Sequence, residues 1–380
     1  MKFIKYILAA FTLLFSAASC DPLSQDPPEF PQQQKTLLVY MVANNNLSSF
    51  ATDNISAMMR GYLPTEDNLL VYLHSTNGNP ILIKLYKDES GAAVKDTVYR
   101  FPDRNSADPS SLASALKVCR TMYPAEEYGL VLWSHGTGWL PQKYYSRTRS
   151  FGQDESTEMD IVEMAGAIPF KLDYVIFDAC LMGGIEVAYE LKDYADYVLA
   201  SPTEVLSDGF PYASMMEHIF KSSTHLKAVA QEYYNHYNNK SGSSRSATIS
   251  LVKTSELDNV AQKAREIFNK YGHNGNLDNF LIDTTAVQKY YTGNKHWFYD
   301  LEGMVKQIAG EDAASFTQAL EAAVIYKAAT PNFLGITISQ EKFSGLSTYI
   351  PSPSADPELL QYYPKLRWNQ DTGYIQTEKQ

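Results

Sequence analysis

A histidine and a cysteine end two similar stretches of this chain. The run Leu130, Val131, Leu132, Trp133, Ser134 leads to His135 and Gly136, and the run Tyr174, Val175, Ile176, Phe177 leads to Asp178, Ala179 and Cys180. A thiol attacks as its thiolate, which needs a base beside it and donors for the oxyanion that forms on attack. Base and nucleophile have to meet in space only, so a gap of 45 positions between them is no obstacle. Gly136 has no Cβ, so its backbone can pass close to a substrate carbonyl. The N–H groups of Gly136 and Cys180 are therefore the candidate oxyanion donors. A helix is expected soon after Cys180, and its N-terminal dipole would favour the thiolate.

The elements that must position these residues follow from the pattern. Near-continuous apolar runs are the mark of strands covered on both faces, and ligands bind at the carboxyl ends of such strands in an open α/β sheet. Strands are expected at 36–42 and 69–73, a short hairpin at 81–86 with 97–101, and further strands ending at His135, at Cys180 and at 197–201. Helices alternate with them at 47–59, 110–123, 159–168 and 185–194, while 139–157 and 202–212 read as loops. Beyond about residue 215 the chain reads as mainly helical, with strands near 247–252, 335–339 and 346–350. The fold class is α/β, a mostly parallel sheet flanked by helices on both faces, with a mainly helical C-terminal extension.

The bulk properties narrow the function. The 380 residues carry a net charge of −11, which argues against a nucleic-acid partner. Three cysteines are too few for a disulfide framework. Cys119 lies on an apolar helical stripe with Leu112, Leu116 and Met122 and reads as core, leaving Cys180 as the thiol without a packing role. Residues 1–19 read as an export signal, with Lys2 and Lys5 ahead of an apolar stretch too short to span a bilayer. The small residues Ala17, Ala18 and Ser19 before Cys20 resemble a bacterial lipobox, in which the cysteine becomes the lipidated first residue, although Ala17 stands where leucine is commonest. Residues 20–34 then form a Pro- and Gln-rich tether from a membrane lipid anchor to a core at 35–255, and 256–380 form a helical region that returns strands to it. Asp154, Glu155, Glu158 and Asp160 read as an exposed helix start, where acids are favoured, rather than as an ion site. Ser134 lacks the Gly-x-Ser-x-Gly elbow of a serine hydrolase, and no paired His or Cys spacing suits zinc.

The chain resembles the clostripain family of cysteine peptidases, within the wider group of caspase-like fold, across most of residues 36–351. The resemblance is carried by residues 38–47, 131–139 with its His135-Gly136, 177–183 with its Asp178-Ala179-Cys180-Leu181-Met182-Gly183, 200–204 with 209–212, and 345–351. It implies a dyad of His135 and Cys180 that cleaves protein or peptide substrates after Arg or Lys. It also implies acidic residues in the pocket for that basic side chain: Asp178, Asp208 and, more weakly, Glu204. Family members are often activated by self-cleavage between the histidine and the cysteine, where Lys143, Arg147 and Arg149 offer basic sites. Their need for Ca²⁺ varies, and the sequence shows no calcium-loop spacing. Where the family often has an acid at the tip of the first strand, this chain has Asn44, Asn45 and Asn46. The competing reading is a surface lipoprotein that binds without catalysis on the same fold.

Overall fold

The apolar runs become strands of one sheet because each divides its side chains between two separate cores. The computed structural model describes residues 35–141, 150–155, 157–221, 225–272, 282–291, 297–351 and 357–375, which fall in one compact unit. Strand β1 (Lys35–Ala43) is followed by helix α1 (Ser48–Arg60), β2 (Asn68–Ser75), the hairpin β3 (Ile81–Lys87) with β4 (Ala93–Arg100), α2 (Pro109–Met122) and β5 (Glu127–Trp133). A small hairpin, β6 (Phe151–Asp154) with β7 (Thr157–Met159), precedes α3 (Ile161–Gly166), β8 (Leu172–Asp178), α4 (Ile185–Glu190) and β9 (Ala195–Ala200). Next come α5 (Tyr212–Lys221), α6 (His225–Asn238), β10 (Thr248–Lys253) and α7 (Leu257–Tyr271). The remaining elements are β11 (Tyr299–Asp300), α8 (Leu301–Ala309), α9 (Ala314–Ala323), β12 (Val324–Ala329), β13 (Asn332–Phe333), β14 (Ile336–Thr337), β15 (Ser347–Thr348), α10 (Pro357–Tyr362) and α11 (Arg367–Thr372).

Nine strands form the main sheet in the order β12-β10-β9-β8-β5-β1-β2-β3-β4. The central five, β9, β8, β5, β1 and β2, run parallel, and both flanks are antiparallel. The chain builds outward from β1 through β2, β3 and β4, then returns to β5 and builds the other way. The reversal therefore falls between β1 and β5, and the carboxyl ends of strands on either side of such a point form a natural binding crevice. Along β1, Leu38, Tyr40 and Val42 enter one core with Leu112 and Leu116 of α2, Met164 of α3 and Val260 of α7. Leu37, Val39 and Met41 enter the other with Ile55 and Met58 of α1, Met215 of α5 and Val229 of α6. Two covered faces explain why the strands lack polar alternation.

The structure corrects four expectations. The stretch at 139–157 is not wholly irregular, because Phe151 to Asp154 form β6, and the helix expected at 159–168 is the shorter α3, opened by Asp160, whose carboxylate accepts a bond from Val162 N–H. The acid cluster is not an exposed helix start: Asp154 and Glu158 are buried, and only Asp160 plays that part. Of the late strands, 335–339 and 346–350 reduce to the two-residue β14 and β15 in minor sheets, while the strand that joins the main sheet after β10 is β12. Residues 324–329 follow α9 without a break, and pairing with β10 makes them a strand that Val324, Ile325 and Tyr326 suit.

Candidate active site

Strands β5 and β8 are neighbours, with Trp133 paired to Asp178 at the last rung. His135 and Cys180 each stand two residues beyond that rung, so the two tips leave the sheet side by side. Their closeness is enforced at Gly136, where a Cβ would lie 2.7 Å from the carbonyl oxygen of Cys180 and 3.0 Å from Cβ of Ala179. Any side chain there would push the tips apart. Gly136 also faces Phe151 of β6, between the bonds Gly152 N–H to His135 O (3.0 Å) and Thr137 N–H to Ser150 O (3.0 Å). In an antiparallel bridge the residue between two such bonds points its own N–H away from the partner strand, so the Gly136 donor is turned off β6.

His135 is partly buried, and burial holds its imidazole below the ordinary value. Its Nε2 lies 2.7 Å from Oδ1 of Asn46, on the turn after β1. Cys180 is also partly buried, and its Sγ receives the Val205 N–H at 3.3 Å. Leu181, next to it, is buried and left-handed (φ 63°), a conformation that costs a non-glycine residue of order 1–3 kcal/mol and that surrounding structure must hold. The Leu181 N–H bond to Thr203 O (2.8 Å) contributes to holding it. The dipole expectation is not met, since α4 begins only at Ile185 and such fields fall off within a turn. Ser134 spends its hydroxyl on Val42 O (2.7 Å), in keeping with a structural serine.

Asp178 lies beneath this pair with 5% exposure, its carboxyl pushed up to about 6 by burial against the hydrogen bonds from Tyr212 OH (2.8 Å) and Phe210 N–H (3.2 Å). Both bonds end on Oδ2. Gly209, with φ 70°, passes so near that a Cβ would lie 2.7 Å from Oδ2. Asp208, beside it, is exposed and ion-paired to Lys240 at 3.2 Å, while its carbonyl accepts from Asn54 Nδ2 (3.2 Å). Glu204 is half-buried on the same loop. Cys20, Lys143, Arg147 and Arg149 lie outside the described residues.

Sequence reasoning had no role for the three asparagines. Asn44 donates to Asp154 Oδ1 (2.7 Å), Asn45 donates to Val42 O (3.1 Å) and Gln153 O (2.5 Å) and accepts from Leu47 N–H (2.8 Å), and Asn46 meets His135. The only signal was their position at the tip of the strand beside β5. Among the described residues no group of three His, Cys, Asp or Glu side chains could hold a metal ion, and no helix is long and apolar enough to cross a membrane.

Comparison with known proteins bears on the fold and the family. The chain resembles an inactive zymogen C11 protease from Parabacteroides distasonis, with 34% identity, a TM-score of 0.80, and coverage of 91% of this chain and 100% of that one. It resembles a secreted C11 cysteine protease from Bacteroides thetaiotaomicron, solved with an irreversible peptide inhibitor, at 28% identity and a TM-score of 0.78, covering 90% and 100% of the two chains. It is 29% identical to clostripain of Hathewaya histolytica over 223 residues, 49% of this chain and only 42% of that protein. The model of the clostripain family, peptidase family C11, matches residues 39–377, and the chain belongs to that family.

Proposed function

We propose that the chain is an exported cysteine endopeptidase that cleaves after Arg or Lys, with His135 as base and Cys180 as nucleophile. The observation that carries the reading is the enforced contact of Gly136 with the Cys180 carbonyl, which brings the histidine tip against the thiol tip. His135 takes the thiol proton as sulfur bonds to the scissile carbonyl carbon, and the Gly136 and Cys180 N–H groups receive the oxyanion. The imidazolium gives its proton to the departing amine as the C–N bond breaks, and water then releases the acyl group from sulfur and restores the thiol.

The basic side chain ahead of the cut is read by Asp178 and Asp208. Asp178 is fixed through Oδ2, which leaves Oδ1 for a guanidinium or ammonium. Asp208 would exchange Lys240 for substrate, a change that costs little because exposed pairs are weak. Self-cleavage at Lys143, Arg147 or Arg149 agrees with a relative described as an inactive zymogen, and Cys20 is the proposed lipid attachment site.

The test is hydrolysis of reporter peptides ending in Arg or Lys, with labelling of Cys180 by a basic chloromethylketone. Hydrolysis and labelling that disappear in Cys180→Ala are expected, and neither in the wild-type chain after processing would overturn the reading. Mass spectrometry of the intact protein over time checks lipidation at Cys20 and cutting within 143–149.

A further inference from the structure

A base with two nitrogens needs one of them committed elsewhere, or it presents the wrong one to the thiol. In this chain Nε2 of His135 lies 2.7 Å from Oδ1 of Asn46. An amide oxygen only accepts, so Nε2 must carry a proton, and in the neutral ring Nδ1 is then bare. We propose that Asn46 is a positioning residue: it fixes the His135 tautomer in which Nδ1 is the nitrogen that takes the Cys180 proton. This rests on the dyad reading above.

The surroundings are built to hold that contact. Asn45 ties the turn to Val42 O, to Gln153 O of β6 and to Leu47 N–H, and Ser48 N–H bonds back to Asn45 O (3.3 Å) at the start of α1. The same β6 holds the histidine backbone through Gly152 N–H to His135 O. Both ends of the Asn46–His135 bond are thus anchored to one short strand, the arrangement by which a supporting shell keeps a reacting group in geometry. When Nδ1 takes the thiol proton, the S–H bond breaks and an Nδ1–H bond forms. The imidazolium then keeps its Nε2–H on Asn46 until Nδ1–H is delivered to the leaving amine. A neutral amide orients the ring without trapping it as the cation, which a carboxylate at this position would do.

The experiment uses the full chain labelled with ¹⁵N-histidine, with His135→Ala identifying the resonance, beside reporter-peptide kinetics and the pH profile of Cys180 alkylation by iodoacetamide. Expected are the Nε2–H tautomer in the wild type, a kcat about tenfold lower in Asn46→Ala with KM held, as for loss of one hydrogen bond, and an upward shift of the His135 titration in Asn46→Asp. An Nδ1–H tautomer in the wild type, a kcat in Asn46→Ala within about twofold of wild type, or an unmoved titration in Asn46→Asp would each overturn the proposal. Asn46→Asp keeps the size of the side chain, so its readout survives if the alanine variant folds poorly. Failure of the underlying dyad is separable: His135→Ala would then leave the rate and pH profile of Cys180 alkylation unchanged.

Discussion

Two histidines stand at the ends of the parallel strands on either side of β1, and they differ in what surrounds them. His74, in β2, is buried, with Nδ1 2.9 Å from Asp154 Oδ2 and 2.8 Å from Ser106 Oγ. Ser106 is itself knotted to Tyr72 OH (2.7 Å), to Tyr40 OH through its carbonyl (2.9 Å), and to Asp154 through its N–H (2.5 Å). His135, beyond β5, is only partly buried and meets an amide from one side, with the thiol-bearing tip on the other. A histidine enclosed by a carboxylate and a hydroxyl is a structural tie, whereas one whose partner among the described residues is a neutral amide can keep a nitrogen for chemistry. Asn44 and Asn46 link the two, since Asn44 bonds to Asp154 and Asn46 to His135.

The sharpest way to break this contrast is at the thiol. Cys180→Ala should reduce hydrolysis of basic reporter peptides to background and leave the melting temperature within a degree or two, because the site is only partly buried and loses one sulfur. A melting loss as large as that of a core truncation would make Cys180 a packing residue instead. His135→Ala should lower kcat/KM about 10²–10⁴-fold, the usual worth of a positioned base, again with the fold intact. His74→Ala should do the reverse, with thermal stability falling first and activity per folded molecule surviving.

Asp154 tests the structural half directly. Burial alone would raise its carboxyl, but the bonds from His74, Ser106 N–H and Asn44 outweigh it and hold it below the ordinary range. A depressed carboxyl contributes stability that is complete above its unfolded value, about 3.9, and is lost as pH falls through the lower folded one. Asp154→Ala should therefore destabilise by about 3–5 kcal/mol at neutral pH, since it leaves His74 buried without its carboxylate. Denaturant unfolding at pH 7 reads this, and a change under 1 kcal/mol would mean the network is ornamental to stability.

The sequence carried the proposed pair of His135 and Cys180 because apolar strands must end somewhere, and both ended on a reactive residue followed or preceded by a small one. Gly136, Ala179 and Cys180 were legible for the same reason: close approach demands small residues, and residue size is written in the chain. The partners were not legible. Asn46 meets His135 across 89 positions and Asn44 meets Asp154 across 110, so no local spacing reports them. The burial of Asp154 and the strand at β12 were misread for one cause. Asp154 is held by Asn44, His74 and Ser106, and residues 324–329 by pairing with β10, all far away in sequence, so what each becomes is decided at long range.

Asp178 carries the smallest and most diagnostic effect, because its pH signature is opposite to that of Asp154. Its carboxyl is pushed up to about 6 by burial, while the unfolded chain holds it near 3.9. The folded state then binds the proton more tightly, so ionisation at neutral pH costs stability, and that cost is relieved as pH falls from above 6 to below 4. Two units correspond to roughly 3 kcal/mol. Asn can accept from Tyr212 OH and Phe210 N–H through its oxygen without being charged. Asp178→Asn is therefore expected to stabilise by about 2 kcal/mol at pH 7.5 and by almost nothing at pH 4. The same substitution should lower kcat/KM on Arg and Lys peptides about 10–100-fold, the loss of a charge-assisted bond, while alkylation of Cys180 by iodoacetamide keeps its rate. Stabilisation with selectivity intact would make Asp178 a buried relic of packing. Destabilisation at both pH values would show the ionised carboxylate to be a structural anchor for the Gly209 turn, and the division between a saturated region and a working one would then run between Asp178 and Cys180 rather than between the two histidines.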